Sequence, residues 1–184
     1  MTELPGDEPS GGRVALIVLA AGAGTRMKSA IPKPLHLVAG KPMLWQVLRA
    51  GRSADPVASV VVLSPHIAND QAWEAADFDV TVAIQDPPRG TADAVQSALQ
   101  VTPEVEWLLI LFADHPLLTA EAVRNLIAKA RESHALVTIL TCEMDGESGY
   151  ARIERDSAGR VRRVVERKDD HPTARTGSIE IIAG

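Results

Sequence analysis

Glycines and cationic side chains stand together directly after the first apolar run of the chain. Residues 19–43 read LAAGAGTRMKSAIPKPLHLVAGKPM. Gly22 and Gly24 lie in a predicted turn, and Arg26 and Lys33 follow it. Glycines let a backbone turn tightly and bring its N–H groups close to a ligand. Arginine and lysine supply cationic donors for phosphate oxygens. The segment therefore predicts a site that handles a nucleoside triphosphate.

This loop is neither of the two commoner phosphate-binding motifs. A Walker loop, Gly-x-x-x-x-Gly-Lys-Ser/Thr, requires glycine at the position of Met27. The dinucleotide fingerprint Gly-x-Gly-x-x-Gly requires a glycine at the same position. Two glycines alone are equally consistent with an ordinary turn between a strand and a helix.

A second candidate segment, residues 85–94, reads QDPPRGTADA. Gln85 follows a predicted strand, and Gly90 and Thr91 open a predicted helix with Thr91 as its N-cap. The start of a helix carries free N–H groups that hold an anion or the edge of a base. Taken alone, the same stretch is a proline-containing loop with an ordinary cap.

A third candidate is the carboxylate that ends a strongly apolar strand. Residues 107–118 read WLLILFADHPLL, with Asp114 at the strand end. A carboxylate there is costly unless it is paired or binds a metal. Thr119 is better placed to cap the following helix. We expect His115 to be a loop residue, because Mg²⁺ prefers oxygen ligands.

Alternating strands and helices are predicted to position these segments. The predicted strands are residues 14–20, 57–63, 80–84, 107–113 and 136–142, and the predicted helices are residues 43–53, 66–76, 91–101 and 120–133. Continuous apolar strands with intervening helices predict an α/β fold, a mostly parallel Rossmann-like sheet with helices on both faces. Such sheets bind ligands beyond the carboxyl ends of their strands, where all three candidate segments lie.

The pattern changes near the end of the chain. Residues 150–155 and 161–167 predict a β-hairpin, and residues 176–182 predict one more strand. Residues 1–12, rich in Gly, Pro, Ser and acids, predict a disordered tail. Residues 13–184 are expected to form one domain.

Composition narrows the functional classes. The net charge of −5 argues against bulk binding to nucleic acid. Cys142 is the only cysteine, which excludes an internal disulfide and fits a cytoplasmic protein. Its apolar surroundings predict a buried, passive thiol. No apolar stretch approaches the ~20 residues of a transmembrane helix, and the acidic N-terminus is unlike a signal peptide.

The order and spacing of three strings carry a resemblance. They are Gly-x-Gly-Thr-Arg-Met, Pro-Lys-x-Leu-His and Val-x-Gly-Lys-Pro-Met, all within residues 22–43. They resemble the signature of the sugar-1-phosphate nucleotidyltransferases, most closely the uridylyltransferase half of the bifunctional GlmU enzymes. The resemblance covers residues 14–182. It implies uridylyl transfer from UTP to N-acetylglucosamine 1-phosphate, giving UDP-N-acetylglucosamine and pyrophosphate.

The same resemblance implies roles for individual residues. Arg26 would hold the departing pyrophosphate, Lys33 would bind the α-phosphate, and Asp114 would hold Mg²⁺. Gln85 and Gly90 match a string that reads the uracil. The full nucleotide-binding set would be Leu19, Ala20, Ala21, Gly22, Gly24, Thr25, Gln85, Gly90 and Thr91. The C-terminal hairpin region would bind the sugar, through the backbone of Gly149 and the carboxylate of Glu166.

Several positions depart from the family's pattern. Asp93 replaces a common histidine, Ala113 replaces a glycine, and Arg175 replaces an asparagine that binds the sugar. The family's second metal ligand, an asparagine, lies beyond Gly184, so we expect a domain that is incomplete at its C-terminus and lacks the β-helix acetyltransferase half. Assembly into a homo-oligomer through the missing part stays open. Two other functions remain: transfer with another nucleotide or acceptor, as in molybdenum-cofactor nucleotidyltransferases, and nucleotide binding without turnover.

Overall fold

The computed structural model describes residues 12–22, 24, 27–69, 77–133, 135–145, 151–165 and 178–182. The chain divides into two compact units, Met1–Ala135 and Leu136–Gly184. The extent of the predicted domain, residues 13–184, stays a prediction. Within the described ranges, no helix is both long and apolar enough to cross a membrane.

The first unit is a parallel sheet with helices. Its elements are β1 (Val14–Leu19), β2 (Leu37–Val38), β3 (Lys41–Pro42), α1 (Met43–Gly51), β4 (Ala58–Leu63), α2 (Pro65–Ala68), β5 (Thr81–Ile84), α3 (Thr91–Leu99), β6 (Trp107–Phe112) and α4 (Ala120–Ser133). The strand order is β5-β4-β1-β6, and every neighbouring pair is parallel. β2 and β3 form a separate antiparallel pair that the sequence pattern did not predict. The predicted parallel α/β fold is confirmed.

Strand β1 lies at the centre of this sheet because its apolar residues are buried on both faces. Successive side chains of a strand point to opposite faces. Leu16 packs in one cluster with residues of α1 and α4, while Ile17 packs in a second cluster with residues of α3. Both side chains are fully buried. Helices therefore cover both faces, as the continuous apolar runs predicted.

Helix α1 approaches the sheet closely at its last residue, Gly51. A methyl group added there would lie 2.7 Å from Cδ2 of Leu16 and 3.2 Å from Cδ1 of Leu111. The first distance is too short for a Cβ, so a side chain there would displace the fully buried Leu16. The glycine therefore lets the end of α1 rest directly on β1 and β6.

The second unit contains an antiparallel sheet. Its strands are β7 (Thr141–Asp145), β8 (Arg152–Arg155), β9 (Val161–Val165) and β10 (Ser178–Ile182), in the order β7-β10-β8-β9. The predicted hairpin is confirmed, since β8 pairs with β9 antiparallel. The final strand is also present, and β10 pairs with both β7 and β8.

Two predictions for this unit were wrong. The run 136–142 was predicted as a parallel strand, but the strand begins at Thr141 and pairs with antiparallel β10. Leu136 and Val137 are exposed, so this apolar run marks no buried strand. Cys142 is exposed rather than buried. One face of an antiparallel sheet commonly meets water, which an apolar neighbourhood in the sequence does not reveal.

Among the predicted helices, helix 120–133 has the predicted bounds, and helix 91–101 ends at Leu99. Helix 43–53 ends at Gly51 and continues as the 3₁₀ turn Arg52–Ala54. These shifts of one or two residues are ordinary for helix boundaries. Helix 66–76 was predicted too long: α2 spans only Pro65–Ala68 and ends at its C-cap Asn69, while residues 70–76 lie outside the described residues.

Candidate active site

A cleft of about 230 Å³ lies beyond the carboxyl ends of the parallel strands. Segments that follow β1, β5 and β6 line it, together with the start of α3. The lining residues are Leu19, Ala20, Ala21, Gly22, Lys33, Pro34, Gln85, Pro88, Gly90, Thr91, Ala94, Phe112, Ala113 and Asp114. The three candidate segments, which lie far apart in the sequence, thus meet in one place.

Most of the predicted site residues line this cleft. Gly24 is described but is not part of the lining. Thr25, Arg26, Gly149 and Glu166 lie outside the described residues. The roles assigned to all of these residues stay predictions.

The structure adds apolar walls that the sequence analysis did not name. Pro34, Pro88 and Phe112 line the cleft beside the polar groups. Each lies next to a predicted site residue or inside a predicted segment, and this closeness in sequence is the only feature that could have indicated them. Flat apolar surfaces of this kind suit the faces of a base or a ribose.

Hydrogen bonds that continue the sheet beyond its strands position the three segments. The N–H groups of Ala20, Gln85 and Ala113 donate to carbonyl groups of neighbouring strands at 2.8, 2.9 and 3.0 Å, respectively. Each bond lies within one or two residues of a strand end. The cleft is therefore held by the rigid part of the fold.

Gly24 places the glycine loop against Lys33. Its φ is +57°, in the left-handed region that favours glycine. A Cβ added there would lie 2.8 Å from Cβ of Lys33, an atom held close to the backbone. Lys33 opens the 3₁₀ turn Lys33–Leu35, and the buried Leu35 anchors that turn in the core. The absence of a side chain at Gly24 therefore allows the glycine loop to pack closely against Lys33.

Lys33 and Asp114 form an ion pair across the cleft. Nζ of Lys33 donates to Oδ2 of Asp114 at 2.5 Å, although 81 residues separate the two in the chain. Burial raises the pKa of Asp114, but the hydrogen bond and charge of Lys33 outweigh it, so this pKa lies below its ordinary value. His115, with Nε2 3.8 Å from Oδ1, adds a smaller effect in the same direction. Asp114 is thus a carboxylate poised to hold a cation.

The start of α3 differs from the prediction. Thr91 was predicted as the N-cap, but Gly90 occupies that position and no side chain caps the helix. The φ of Gly90 is +112°, which a threonine there would resist. Thr91 is instead the first helical residue and is exposed. The N–H groups of the helix start are consequently left for a ligand.

Gln85 is the one buried polar residue among the described residues, with 4% of its surface exposed. Its Nε2 donates to the carbonyl of Gly90 at 2.9 Å and to Oδ2 of Asp93 at 2.8 Å. The side chain is therefore held rigidly in the wall of the cleft.

A divalent cation has one protein carboxylate available in this cleft. Asp114 is the only acidic residue in the described lining, and the described residues contain no cluster of three His, Cys, Asp or Glu side chains. Mg²⁺ is commonly held by one or two carboxylates together with substrate phosphates and water. The donor set at Asp114 fits that mode of binding.

A larger cleft of about 430 Å³ lies at the opposite edge of the sheet, beside the amino ends of β4 and β5. Arg52, Asp55 and Asp79 contribute its charges. None of the three candidate segments reaches it. The smaller cleft is therefore the candidate site, because chemistry-bearing residues converge there.

Comparison with known proteins gives a consistent result. The sequence pattern of the MobA-like NTP transferase domain matches residues 16–173. The bifunctional protein GlmU of Trichlorobacter lovleyi is 45% identical over 160 residues, which cover 86% of this chain and 35% of that protein. GlmU of Ralstonia nicotianae is 41% identical over 158 residues, covering 86% and 34%. This chain spans about a third of the length of these relatives.

Solved structures show the same fold at lower identity. HddC from Yersinia pseudotuberculosis has a TM-score of 0.63 and 22% identity, covering 92% of this chain and 74% of that one. A CMP:2-keto-3-deoxy-manno-octonic acid synthetase complexed with CTP has a TM-score of 0.68 and 19% identity, covering 92% and 71%. At these identities the similarity concerns the fold alone.

Proposed function

The chain belongs to the MobA-like NTP transferase family, and from this premise we propose that it transfers a nucleotidyl group from a nucleoside triphosphate to a sugar phosphate. The specific reaction we propose is uridylyl transfer from UTP to N-acetylglucosamine 1-phosphate, releasing pyrophosphate. The similarity to GlmU proteins supports the choice of substrates. The observation that carries the proposal is the meeting of Gly22, Lys33, Gln85 and Asp114 in one cleft.

The transfer needs no nucleophile from the protein. An oxygen of the sugar phosphate attacks the α-phosphorus of the nucleotide, a new P–O bond forms, and pyrophosphate leaves in line. Positioning and neutralisation of charge are the main contributions that proteins make to such reactions. The glycine loop and the start of α3 bring N–H groups to the nucleotide, and Gln85 faces the base. Lys33 would bind the α-phosphate, and Arg26, matched by sequence alone, would hold the pyrophosphate.

Mg²⁺ is the proposed cofactor. When bound, it would neutralise phosphate charge and help to orient the reacting oxygens. Asp114 would hold it, with phosphate oxygens and water completing the shell.

Lys33 would change partners when substrates bind. It donates to Asp114 in the structure, so it would have to give up this partner in order to bind the α-phosphate. The two side chains are 34% and 36% exposed, so solvent screens the pair. Exposed pairs of this kind contribute about 0.2–1 kcal/mol, and the exchange therefore costs little.

The remaining parts of the proposal concern regions that the structure does not describe. Gly149 and Glu166 would bind the sugar, as their matched strings suggest. Arg175 stands where the pattern has a sugar-binding asparagine. This departure favours a second candidate, in which the same nucleotidyl transfer reaches a different phosphorylated acceptor. We place the reaction in the cytoplasm.

The direct test is release of pyrophosphate from UTP and Mg²⁺, with and without N-acetylglucosamine 1-phosphate. We expect release that requires the acceptor and that falls on Asp114→Asn. A calorimetric titration of UTP run in parallel separates two failures. Binding of UTP without turnover would leave a nucleotide site and remove the proposed reaction. Absence of UTP binding would remove the assignment of the cleft itself.

A further inference from the structure

The orientation of the Gln85 amide is decided by its two protein partners. Nε2 donates to the carbonyl oxygen of Gly90 and to the carboxylate of Asp93. Both partners are acceptors only. Exchanging the nitrogen and the oxygen of the amide would place Oε1 against two other oxygens. The chemistry of the two partners therefore fixes which end of the amide carries the NH₂ group.

The amide therefore offers a ligand one kind of contact. Both hydrogens of Nε2 have protein acceptors, whereas Oε1 accepts no hydrogen bond from any described residue. Gln85 lines the cleft, so its oxygen is the group left for a ligand. Across the described chain, the cleft-lining N–H groups of Ala21 and Gly90 also have no hydrogen-bond acceptor.

The cleft thus combines one fixed acceptor with backbone donors. The imide edge of uracil or thymine presents carbonyl, N–H and carbonyl, so its central donor suits Oε1 and its carbonyls suit backbone N–H groups. Cytosine presents an unprotonated ring nitrogen at the central position. That nitrogen would face Oε1 as one acceptor against another, and an unmade bond in a buried site is costly.

We propose that Asp93 is a positioning residue that sets the base specificity of the cleft: it locks the Gln85 amide with its oxygen toward the base and so selects an imide base over cytosine. The inference rests on the proposed function, because it requires a nucleotide in this cleft. Asp93 itself does not line the cleft and acts through Gln85.

Asp93 also lies in the first turn of α3, where a negative charge stabilises a helix. A purely structural role of this kind predicts a different outcome on substitution. Loss of helix stability would weaken every nucleotide by a similar factor. Loss of the lock would change the ratio between two nucleotides, because a freed amide can turn its NH₂ toward cytosine.

The test is calorimetric titration of the full chain with UTP and with CTP. We expect the unsubstituted chain to prefer UTP by about 10- to 100-fold, the range typical for one unmade hydrogen bond in a buried site. Asp93→Asn keeps the shape but lets the partner donate as well as accept, and Asp93→Ala removes it. Each should reduce the UTP-to-CTP preference about 10-fold, with tighter binding of CTP in Asp93→Asn.

Asp86→Asn is the matched control. It removes one negative charge from the loop that leads into α3, seven residues before Asp93, and Asp86 is exposed with no partner among the described residues. It should leave the ratio unchanged. A parallel loss of both nucleotides in the Asp93 variants would overturn the lock, as would equal binding of UTP and CTP by the unsubstituted chain. If neither nucleotide binds the unsubstituted chain, the proposed function fails together with the inference. If UTP binds and neither Asp93 substitution changes the UTP-to-CTP preference, only the inference fails.

Discussion

Substitution of three glycines of the first unit can isolate the contribution to stability of the contact between the glycine loop and Lys33. Gly22 has ordinary backbone geometry and open space around its missing Cβ. Gly40 has a φ of +80° and also has open space. Gly24 combines a φ of +57° with a Cβ position only 2.8 Å from Cβ of Lys33. Substitution of each by alanine adds one of these effects at a time.

The expected changes in the free energy of unfolding follow from three contributions. A left-handed φ costs an alanine about 1–2 kcal/mol. Replacement of glycine also restricts the unfolded chain, which stabilises the fold by about 0.4–1 kcal/mol. Overpacking against a fixed atom adds about 1–3 kcal/mol. Gly22→Ala should therefore be neutral or slightly stabilising, and Gly40→Ala should destabilise by roughly 1 kcal/mol. Gly24→Ala should destabilise by roughly 1–4 kcal/mol in total, which is about 1–3 kcal/mol more than Gly40→Ala because of the overpacking.

Urea unfolding of the three variants measures these values, and titration with UTP measures the effect on the site. Gly24→Ala should weaken UTP binding, because relief of the contact displaces Lys33. Gly40→Ala should bind UTP normally. The reasoning is refuted if Gly24→Ala is no less stable than Gly40→Ala and binds UTP equally well, since the contact with Lys33 would then carry no weight.

Two further predictions use the charged groups. Lys33→Met should lower kcat by about 10²–10³-fold, the size typical for one preorganised charge-stabilising contact. The free energy of unfolding should fall by less than about 1 kcal/mol, because the pair with Asp114 is over a third exposed. Steady-state kinetics and urea unfolding measure the two effects, and an unchanged kcat would show that Lys33 takes no part in the reaction. In the second unit, the hydrogen bonds and charges of Arg163, first, and of Arg152 outweigh the effect of burial and lower the pKa of Glu154 from 4.5 to about 2. A lowered pKa gives stability that is complete above the unfolded value and is lost as pH falls from 4.5 toward 2. Carboxyl NMR should show a midpoint near 2 that rises in Arg163→Gln, and a midpoint unaffected by that change would contradict the assigned cause.

The sequence predicted the parts of the site that depend on strand ends. Gln85 and Asp114 each follow an apolar run, and parallel strands deliver their carboxyl ends to one edge. Their convergence with Gly22 therefore needed only the fold class. The ion pair between Lys33 and Asp114 could not be predicted from the sequence, because the two residues are 81 positions apart and their contact depends on the conformation of the loop that carries Lys33.

Local rules failed where backbone geometry or sheet context decided the outcome. Thr91 is a good capping residue by type, but the preceding Gly90 has a positive φ that makes it the cap. Residues 136–142 are apolar enough for a buried strand, yet the antiparallel partner β10 comes from much later in the chain. Pattern reveals which residues are apolar but not which partner will cover them.

The central place of β1 has a consequence for the growing chain. One neighbour, β4, is complete at Leu63, but the other, β6, does not begin until Trp107. Translation at ~5–20 residues per second leaves one edge of β1 without its partner for several seconds. During that time Asp114, which lines the candidate cleft, has not been synthesised. If the cleft binds a nucleotide as proposed, that ligand would stabilise the finished sheet by mass action, but it could not guide the pairing of β1, which comes first.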